Sequence, residues 1–526
     1  MKKMFLLSSL IAFNMLYANP NYGGTLVFAR TSDASLLDPA HVTDAESIYA
    51  TRQIYDTLVR FKKGSTEIEP ALAKSYEISE DGLTYIFHLR EGVYFAPTKY
   101  FNEKVEMTAD DVVFSLKRQF DENNPYHSIT GSYDYWVSMG MNDVVKDVEK
   151  IDNYTVKITL KKNEAPFLAN MAMDFMSIVS KKYADKLLSE NKATDLNRYP
   201  VGTGPFVFVS WKKDDAIVLQ ANKNYWDDKK PYLDRLIIKV VPNASVRAAE
   251  LKAGQIHIMD KPNFTELENL AKIENIKIEK KPGVNVYYMS MNMTKEWFKN
   301  PLVRQAINHA INKEAIIKTV YEDYARVAYS PVPISMWGFN ENIKKYEYNP
   351  KKAKELLIKA GYPDGFSINL LSRPSQDSKK AAEAIQADLA KVGINVKIQN
   401  YDFTTYLKII KNLEHDMSMN GWQGDNGDPD NFLYIMLSKN AIIKPAGNFS
   451  AWSNDEFDAL ITKAKEISNQ KEREELYKKA QEIFGEESPW VTLANIYDIY
   501  PMQKNIEGFE VNNIGGLRFD TVWIKK

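Results

Sequence analysis

The chain has 526 residues, of which 44% are hydrophobic, 26% charged and 12% aromatic, a globular composition that excludes a disordered or collagen-like protein. Its 68 basic and 69 acidic residues leave a formal net charge of -1, which gives no electrostatic reason to expect binding to nucleic acid or to an anionic membrane. The absence of cysteine excludes disulfides, thiol catalysis, cysteine-ligated metals and a lipid-anchored N-terminal cysteine, and the length predicts two or three domains.

Residues 1–18 have the pattern of a secretory signal peptide. Lys2 and Lys3 give a positive start, a mostly apolar stretch runs to Tyr17, and Ala18 precedes the expected cleavage point. The apolar stretch is shorter than the roughly 20 residues of a membrane span, and no later stretch is long and apolar enough. A buried N-terminal helix is the alternative. We therefore expect a soluble protein in a bacterial periplasm.

Short apolar or alternating runs predict strands through the first half of the chain. They are Thr25–Ala29, Tyr85–Leu89, Thr155–Leu160, Phe206–Trp211, Ala216–Gln220, Leu236–Val241 and Val284–Met291. Helical spacing is clearer further on, because apolar residues recur every three to four positions. Helices are predicted from Pro301, from Pro350 to Gly361, and over Ser378–Val392, Asp455–Ile467 and Lys471–Phe484.

The order of elements around the third of these helices indicates the fold class. Ser367–Leu371 and Ile394–Ile398 both read as strands, and the helix Ser378–Val392 lies between them. A strand–helix–strand unit of this length places its two strands in parallel, so the sheet should be parallel or mixed. Extended, aromatic-rich segments follow from Trp490. The sequence therefore predicts an α/β protein.

Enzyme motifs are mostly absent. The sequence contains no P-loop, no G-x-S-x-G nucleophile elbow and no H-E-x-x-H, and none of its six histidines lies three or four residues from another. Gly202-Thr203-Gly204-Pro205 lacks a third glycine and is interpreted as a turn and not as a dinucleotide site. The 69 acidic residues leave a glycosidase carboxylate pair open.

One loop combines acidic residues with glycines after a predicted strand, Asp416–Asn420. Asp428 is predicted to cap a helix with Pro429 at its first position and Asp430 in its first turn. Asp425 lies in the strand-to-helix turn, where ligands commonly meet an α/β sheet. A turn aspartate that binds its own backbone is the alternative. Gly427 and Pro429 occupy ligand positions of an EF-hand and exclude that interpretation.

Residues 421–432, which read GWQGDNGDPDNF, resemble the signature of periplasmic dipeptide-binding proteins, the substrate-capturing subunits of ABC peptide importers. Other segments are similar to landmarks of the same family. They are residues 79–93 (SEDGLTYIFHLREGV), 108–115 (TADDVVFS), 202–206 (GTGPF) and 303–313 (VRQAINHAINK). The resemblance covers essentially the whole chain after the proposed signal peptide.

The resemblance implies a two-lobed periplasmic binding protein of type II, cluster C-like. Lobe I would comprise residues 19–279 with an extra subdomain near 56–186, lobe II residues 280–495, and residues 496–526 would return to lobe I. Two crossing segments near 279 and 495 would form a hinge. The expected partners are a dipeptide, an inner-membrane permease and its ATPase. We expect no cofactor, no catalysis and a monomer.

The same resemblance assigns the termini of a zwitterionic dipeptide to two side chains. Asp425 would pair with the ligand ammonium. Arg373 would take the ligand carboxylate, for which a planar guanidinium with two parallel donors is suited. Without the resemblance, Arg373 reads as a solvated surface arginine.

Further ligand contacts are expected around this pair. Trp422 would line the cleft, although a core aromatic is an equal alternative, and Gly421 and Gly424 would let backbone approach the ligand. The loop 42–47 resembles a ligand-facing loop, which makes Thr43 and Glu46 candidates. Here it carries acids where relatives have small or hydroxyl residues.

Other readings remain open on the same scaffold. The ligand could be a longer peptide, glutathione, haem or a nickel chelate. The few histidines are not clustered in the sequence, which argues weakly against direct binding of a metal by histidine. A secreted hydrolase is the alternative from another class, and it would need a carboxylate pair or a nucleophile–base pair that the sequence does not reveal.

Overall fold

The computed structural model describes residues 20–227, 231–511, 514 and 517–526, so the proposed signal peptide lies outside the described residues. The strands are β1 (Thr25–Arg30), β2 (Val59–Phe61), β3 (Ile68–Pro70), β4 (Ala73–Ile78), β5 (Thr84–Leu89), β6 (Tyr94–Phe95), β7 (Val105–Glu106), β8 (Val145–Asp152), β9 (Thr155–Leu160), β10 (Phe206–Lys212), β11 (Ala216–Ala221), β12 (Arg235–Val240), β13 (Ile258–Met259), β14 (Ile276–Pro282), β15 (Asn285–Met291), β16 (Ala325–Val327), β17 (Phe366–Ser372), β18 (Ile394–Asn400), β19 (Met417–Gln423), β20 (Trp490–Gln503), β21 (Ile506–Glu507) and β22 (Trp523–Ile524).

Helices alternate with these strands along the chain. They are α1 (Ala45–Ile54), α2 (Ala109–Lys117), α3 (Tyr126–Ile129), α4 (Asp134–Ser138), α5 (Met141–Val144), α6 (Phe167–Met171), α7 (Lys181–Ser189), α8 (Ala244–Lys252), α9 (Phe264–Ala271), α10 (Glu296–Lys299), α11 (Pro301–Ala310), α12 (Lys313–Val320), α13 (Pro350–Lys359), α14 (Gln376–Ala390), α15 (Phe403–Lys411), α16 (Asp430–Leu437), α17 (Asp455–Glu466) and α18 (Gln470–Glu487). Short 3-10 helices span Pro39–His41, Asp174–Met176, Ala193–Asn197 and Asn440–Ile442.

The main sheet is mixed, as predicted. Its strand order is β10-β11-β12-β1-β13-β20-β15-β19-β17-β18, and β14 and β16 also pair with β20. β1 runs parallel to β12 and β13, and β17 runs parallel to β18 and β19. The unit β17–α14–β18 confirms the predicted strand–helix–strand order. Its helix buries Ala381, Ala382, Ile385 and Leu389, which recur at helical spacing.

The elements that sequence patterns predicted coincide with observed ones to within a few residues at their ends. Pro301 occupies the first turn of α11, and the Asn300 side chain caps that helix by accepting a hydrogen bond from the Leu302 N–H at 3.0 Å. β19 extends three residues beyond the predicted Asn420, because it continues to pair with β15 as far as Gln423. The cross-strand pairing that lengthens it leaves no trace in its own sequence.

Strand β20 pairs with two different parts of the sheet. Its first residues pair with β15, whereas residues 497–503 pair with β14. Between these parts, Asn285 donates to the Ile496 carbonyl and accepts from the Ile496 N–H, both at 2.8 Å. Gly283 joins β14 to β15, and a Cβ there would lie 2.4 Å from the Ile496 oxygen. The two places where the chain passes between these parts of the sheet are therefore fastened to each other.

The turn at residues 202–205, interpreted as structural, packs directly on the end of α1. A Cβ at Gly202 would lie 2.1 Å from the Ile54 carbonyl oxygen, and the Gly204 N–H donates to that same oxygen at 2.8 Å. Only glycine permits this approach of backbone to backbone. The contact fixes the helix whose N-terminus carries Glu46.

We expect Gly202→Ala to destabilise the protein by about 3 kcal/mol, the upper end of the usual cost of overpacking, since two backbone segments must move apart. The measurement is the urea concentration at the midpoint of unfolding. Gly254→Ala is the control, because a Cβ there meets nothing within 4 Å and only the left-handed φ of +70° opposes it, at a cost of about 1–2 kcal/mol. Equal losses in the two variants would contradict the packing argument.

Candidate ligand-binding cavity

A cavity of about 720 Å³ lies where β15, β19 and β20 meet residues from the first half of the chain. Its volume falls within the range of small-ligand sites. Six of the seven predicted site residues line it: Thr43, Glu46, Arg373, Gly421, Trp422 and Asp425. These residues come from three segments that are far apart in sequence, and the fold brings the segments to one cavity.

Gly424 is not among the lining residues of the described cavity. A Cβ at Gly424 would lie 2.8 Å from Cε2 of Phe432 and 3.0 Å from Cγ1 of Val284. Its N–H donates to the Val284 carbonyl at 2.8 Å. The structure therefore gives Gly424 a packing role, in which it lets the turn after β19 lie against the Phe432 ring.

Asp425 follows β19 and is 8% exposed. Its carboxylate accepts a hydrogen bond from the Tyr135 hydroxyl, and its N–H donates to Oδ1 of Asn431 at 3.2 Å. Burial raises the pKa of Asp425 to about 6, although the Tyr135 hydrogen bond and the nearby Arg52 charge oppose the rise. Within the described residues, no lysine, arginine or histidine nitrogen lies within 4.0 Å of this carboxylate. The site thus holds an anion whose burial is only partly compensated.

Arg373 follows β17 and is half-buried. Its N–H donates to the Ser378 hydroxyl at 3.1 Å, and its guanidinium carbon lies 6.0 Å from the centre of the Phe403 ring. In the part of the chain that the structure describes, the guanidinium makes no hydrogen bond and has no carboxylate within 4.0 Å. Its donors are therefore available to a ligand.

Gly421 makes room for that guanidinium. A Cβ at Gly421 would lie 2.8 Å from Nη1 of Arg373 and 2.9 Å from Cε1 of Tyr287. Gly421 and Gln423 lie on one face of β19 because side chains alternate along a strand, and Asp425 lies two residues beyond Gln423. The cation and the anion consequently border the cavity at two separate points along the same strand.

Trp422 holds the turn that carries Asp425. Its indole N–H donates to Oδ1 of Asn431 at 2.8 Å, the atom that also accepts from the Asp425 N–H. Its ring meets the Tyr135 ring edge-to-face with centres 6.0 Å apart. Trp422 lines the cavity and also packs against two neighbours of Asp425. It therefore has features of both interpretations that the sequence allowed, a cleft-lining residue and a packed aromatic residue.

Thr43 and Glu46 are bound to lysines that sequence reasoning missed. The Thr43 hydroxyl accepts from Nζ of Lys411 at 3.0 Å, and Lys411 also pairs with Asp134 at 2.6 Å. Glu46 is buried and paired with Lys261. Lys261 and Lys411 both line the cavity. The sequence offers no signal that separates these two lysines from ordinary surface lysines.

The acids that follow Asp425 have structural partners. Helix α16 begins at Asp430, one residue later than predicted, with Pro429 at the cap position. Asp428 accepts from the Asp430 N–H at 3.1 Å and pairs with Arg473 at 2.7 Å. Asp430 accepts from the Asn426 side chain at 3.0 Å. The Asp428 carboxylate therefore stabilises the start of the helix.

Neither a metal cluster nor a membrane-spanning helix is found in the described ranges. No group of three or more histidine, cysteine, aspartate and glutamate side chains there could hold a metal ion. A search of the same residues finds no helix with the length and apolar character that crossing a bilayer requires.

Residues 67–443 match the model of bacterial extracellular solute-binding proteins, family 5, middle part. The chain belongs to this family. It is 42% identical over 505 residues to heme-binding protein A of Haemophilus influenzae, with 95% of this chain and 92% of that protein covered. It is 40% identical over 508 residues to the dipeptide-binding protein of Escherichia coli, with 95% of each chain covered.

A solved structure has the same fold. The ABC transporter-associated periplasmic binding protein DppA of Helicobacter pylori, in complex with the peptide STSA, superposes with a TM-score of 0.94. The two sequences are 50% identical, and the match covers 96% of this chain and 99% of that one. The predicted two-lobed α/β class of the periplasmic binding proteins is confirmed.

We expect Tyr135→Phe to raise the pKa of Asp425 further above about 6, because the lost hydrogen bond stabilises the ionised carboxylate. The measurement is a carbon-13 NMR titration of aspartate carboxyl carbons, with the Asp425 signal assigned by its loss in Asp425→Asn. The control is Tyr133→Phe. In the unmodified protein, the Tyr133 hydroxyl donates to the Tyr126 carbonyl at 2.9 Å and not to Asp425, so its removal should leave the pKa of Asp425 unchanged. An unchanged or lowered value in Tyr135→Phe would refute the assignment of this hydrogen bond.

Proposed function

We propose that this protein is the periplasmic substrate-binding subunit of an ABC transporter and captures dipeptides by their charged termini. The observation that carries the proposal is the pair of opposite charges that border one cavity, Asp425 and Arg373, each without an ionic protein partner within 4.0 Å in the described residues. A zwitterionic peptide supplies both missing partners in one molecule.

The chemistry of each end fits its residue. The ligand ammonium has three donors, and the ionised Asp425 carboxylate accepts them in a site where water is largely excluded. The ligand carboxylate receives two parallel hydrogen bonds from the Arg373 guanidinium. A micromolar dissociation constant needs only about -8.2 kcal/mol, which two charge-assisted contacts and the peptide backbone can supply.

The named relatives support a peptide ligand. The Escherichia coli relative is named a dipeptide-binding protein, and the Helicobacter pylori structure contains a four-residue peptide. The Haemophilus influenzae relative is named for haem. The described lining of the cavity contains no histidine, cysteine or methionine, so a haem iron would find only tyrosine among the usual axial ligands. The free charges favour the peptide.

The lobes follow from the same proposal. Residues 19–279 with 496–526 would form lobe I, residues 56–186 its extra subdomain and residues 280–495 lobe II. The fastening of Gly283 and Asn285 to Ile496 supports a hinge at these crossings. The loaded, monomeric protein would deliver its peptide to an inner-membrane permease with its ATPase, after removal of residues 1–18, and would perform no catalysis itself.

Asp425→Ala or Arg373→Ala should weaken binding of Ala-Ala by at least roughly tenfold, because one ligand charge then loses its partner in the cavity. Isothermal titration calorimetry at pH 7.5 measures the dissociation constants. Arg373→Lys separates charge from geometry, since lysine keeps the charge and loses the planar fork. The exposed-residue variant Asp455→Asn, whose side chain is 95% exposed, serves as the control. Unchanged affinity in both alanine variants would remove the assignment.

Blocking either peptide terminus should also weaken binding by at least roughly tenfold. N-acetyl-Ala-Ala lacks the ammonium, and Ala-Ala-amide lacks the carboxylate. In Asp425→Ala the penalty for acetylation should shrink, whereas the penalty for amidation should remain, because each block removes the partner of one residue only. Equal affinity of blocked and free peptides for the unmodified protein would defeat the proposed recognition of termini.

A further inference from the structure

Asp498 is a charged group of the cavity wall that the recognition of peptide termini does not use. It lies on β20 and lines the same space as Asp425 and Arg373. Its hydrogen bond from Gln423 is long, with Nε2 at 3.5 Å from Oδ2. Across the described ranges, no lysine, arginine or histidine nitrogen lies within 4.0 Å of its carboxylate.

In the part of the chain that the structure describes, the groups that act on Asp498 are polar or aromatic, and none of them carries a positive charge. Gln423 on β19 and Asn285 on β15 face it, and the hydroxyl groups of Tyr287 and Tyr500 lie near enough to feel its charge. Burial raises the pKa of Asp498 to about 7, and hydrogen bonds from the two amides only partly oppose the rise.

Two other carboxylates of the cavity wall are neutralised within the protein. Glu46 is paired with Lys261, and Asp134 is paired with Lys411 at 2.6 Å. Asp498 has no such partner, which makes it the kind of group that an arriving cation stabilises.

The position of Asp498 relates it to the middle of a bound peptide. Its contact residue Gln423 lies on β19 between Gly421, which is beside Arg373, and Asp425. A peptide whose carboxylate meets Arg373 and whose ammonium meets Asp425 would extend past Gln423. A side chain that leaves the peptide between its termini would therefore point into the region that Asp498 borders.

We propose that Asp498 binds the positively charged side chain of a lysine or arginine in the bound peptide, and so gives the cavity a preference for cationic peptides. This inference rests on the proposed function and names the class of peptide that the site prefers. A charge-assisted contact in a largely buried site should favour the charged peptide at least about tenfold over a neutral one of the same shape.

The test compares peptides that differ in charge and little in shape. Ala-Lys and Lys-Ala are titrated by calorimetry at pH 8 beside their Nε-acetyl-lysine counterparts, with Ala-Ala as the reference. In at least one pair the charged peptide should bind at least about tenfold tighter. Asp498→Asn should reduce that ratio to within about twofold, and the exposed-site variant Asp455→Asn should leave it unchanged. A ratio within one protein cancels any general loss of affinity.

The possible outcomes distinguish failure of this inference from failure of the proposed function. Binding of Ala-Ala without any preference for free lysine would overturn the inference and leave the proposed function standing, whereas failure of all five peptides to bind would overturn both. A preference that persists in Asp498→Asn would assign it to another residue. Should this variant not fold, a crystal structure of the unmodified protein with the preferred peptide takes its place. A lysine side-chain ammonium within 4 Å of the Asp498 carboxylate supports the inference, and a side-chain ammonium bound elsewhere overturns it.

Discussion

Charges that the protein does not neutralise itself are the constraint on which the site depends. Moving a charge out of water costs free energy unless a partner is supplied, and the raised pKa of Asp425 records part of that cost. In the described residues, Arg373 likewise has no carboxylate within 4.0 Å of its guanidinium. A ligand that is neutral as a whole and charged at both ends supplies an ionic partner to both groups at once. The overall charge of the chain, which is close to zero, carries no information about this local separation.

The parallel pairing of β17 with β19 brings the two groups to one edge of the sheet. Leu371 is aligned with Ser418, and both strands run on from there in the same direction. Parallel strands end on the same side of a sheet, so the residues that follow them meet there. Arg373 follows β17 and Asp425 follows β19 for this reason. Gly421 then removes the side chain that would otherwise occupy the position of the guanidinium.

Local sequence patterns predicted the features that depend on neighbouring residues in the chain, namely helices, strands, caps and turns. Apolar spacing and caps located β17, α14, β18 and α11 to within a few residues, and the glycine-rich turn after a strand marked Asp425. The partners of these residues could not be predicted in this way. Tyr135 and Asp425 are 290 positions apart, and Lys411 and Thr43 are 368 apart. Only the folded sheet determines which tyrosine or lysine among many meets them.

The same limit applies to the glycines and to Asp498. Gly421 and Gly424 were expected to let backbone approach a ligand, whereas the structure shows one beside Arg373 and the other against Phe432. Both reasons for glycine depend on neighbours that are remote in sequence or on the next helix. Asp498 lies within β20, whose residues are mostly apolar. From the sequence alone, a single acid in such a strand is interpreted as a solvent-exposed residue. The structure is needed to show that, in the described residues, this acid lies in a cavity without an ionic partner.

The hydrogen-bonding capacity of Asp425 shows how it can be held by the protein and still bind a guest. An ionised carboxylate offers about four lone-pair positions, and Tyr135 occupies one of them on Oδ2. The remaining positions exceed what a single amide N–H of a blocked peptide could use, but they match the several donors of an ammonium. Tyr135 also comes from the first half of the chain, whereas Asp425 follows β19 in the second. This contact between the two halves of the chain orients the carboxylate with a neutral donor and leaves its negative charge uncompensated, whereas a lysine in place of Tyr135 would have neutralised it.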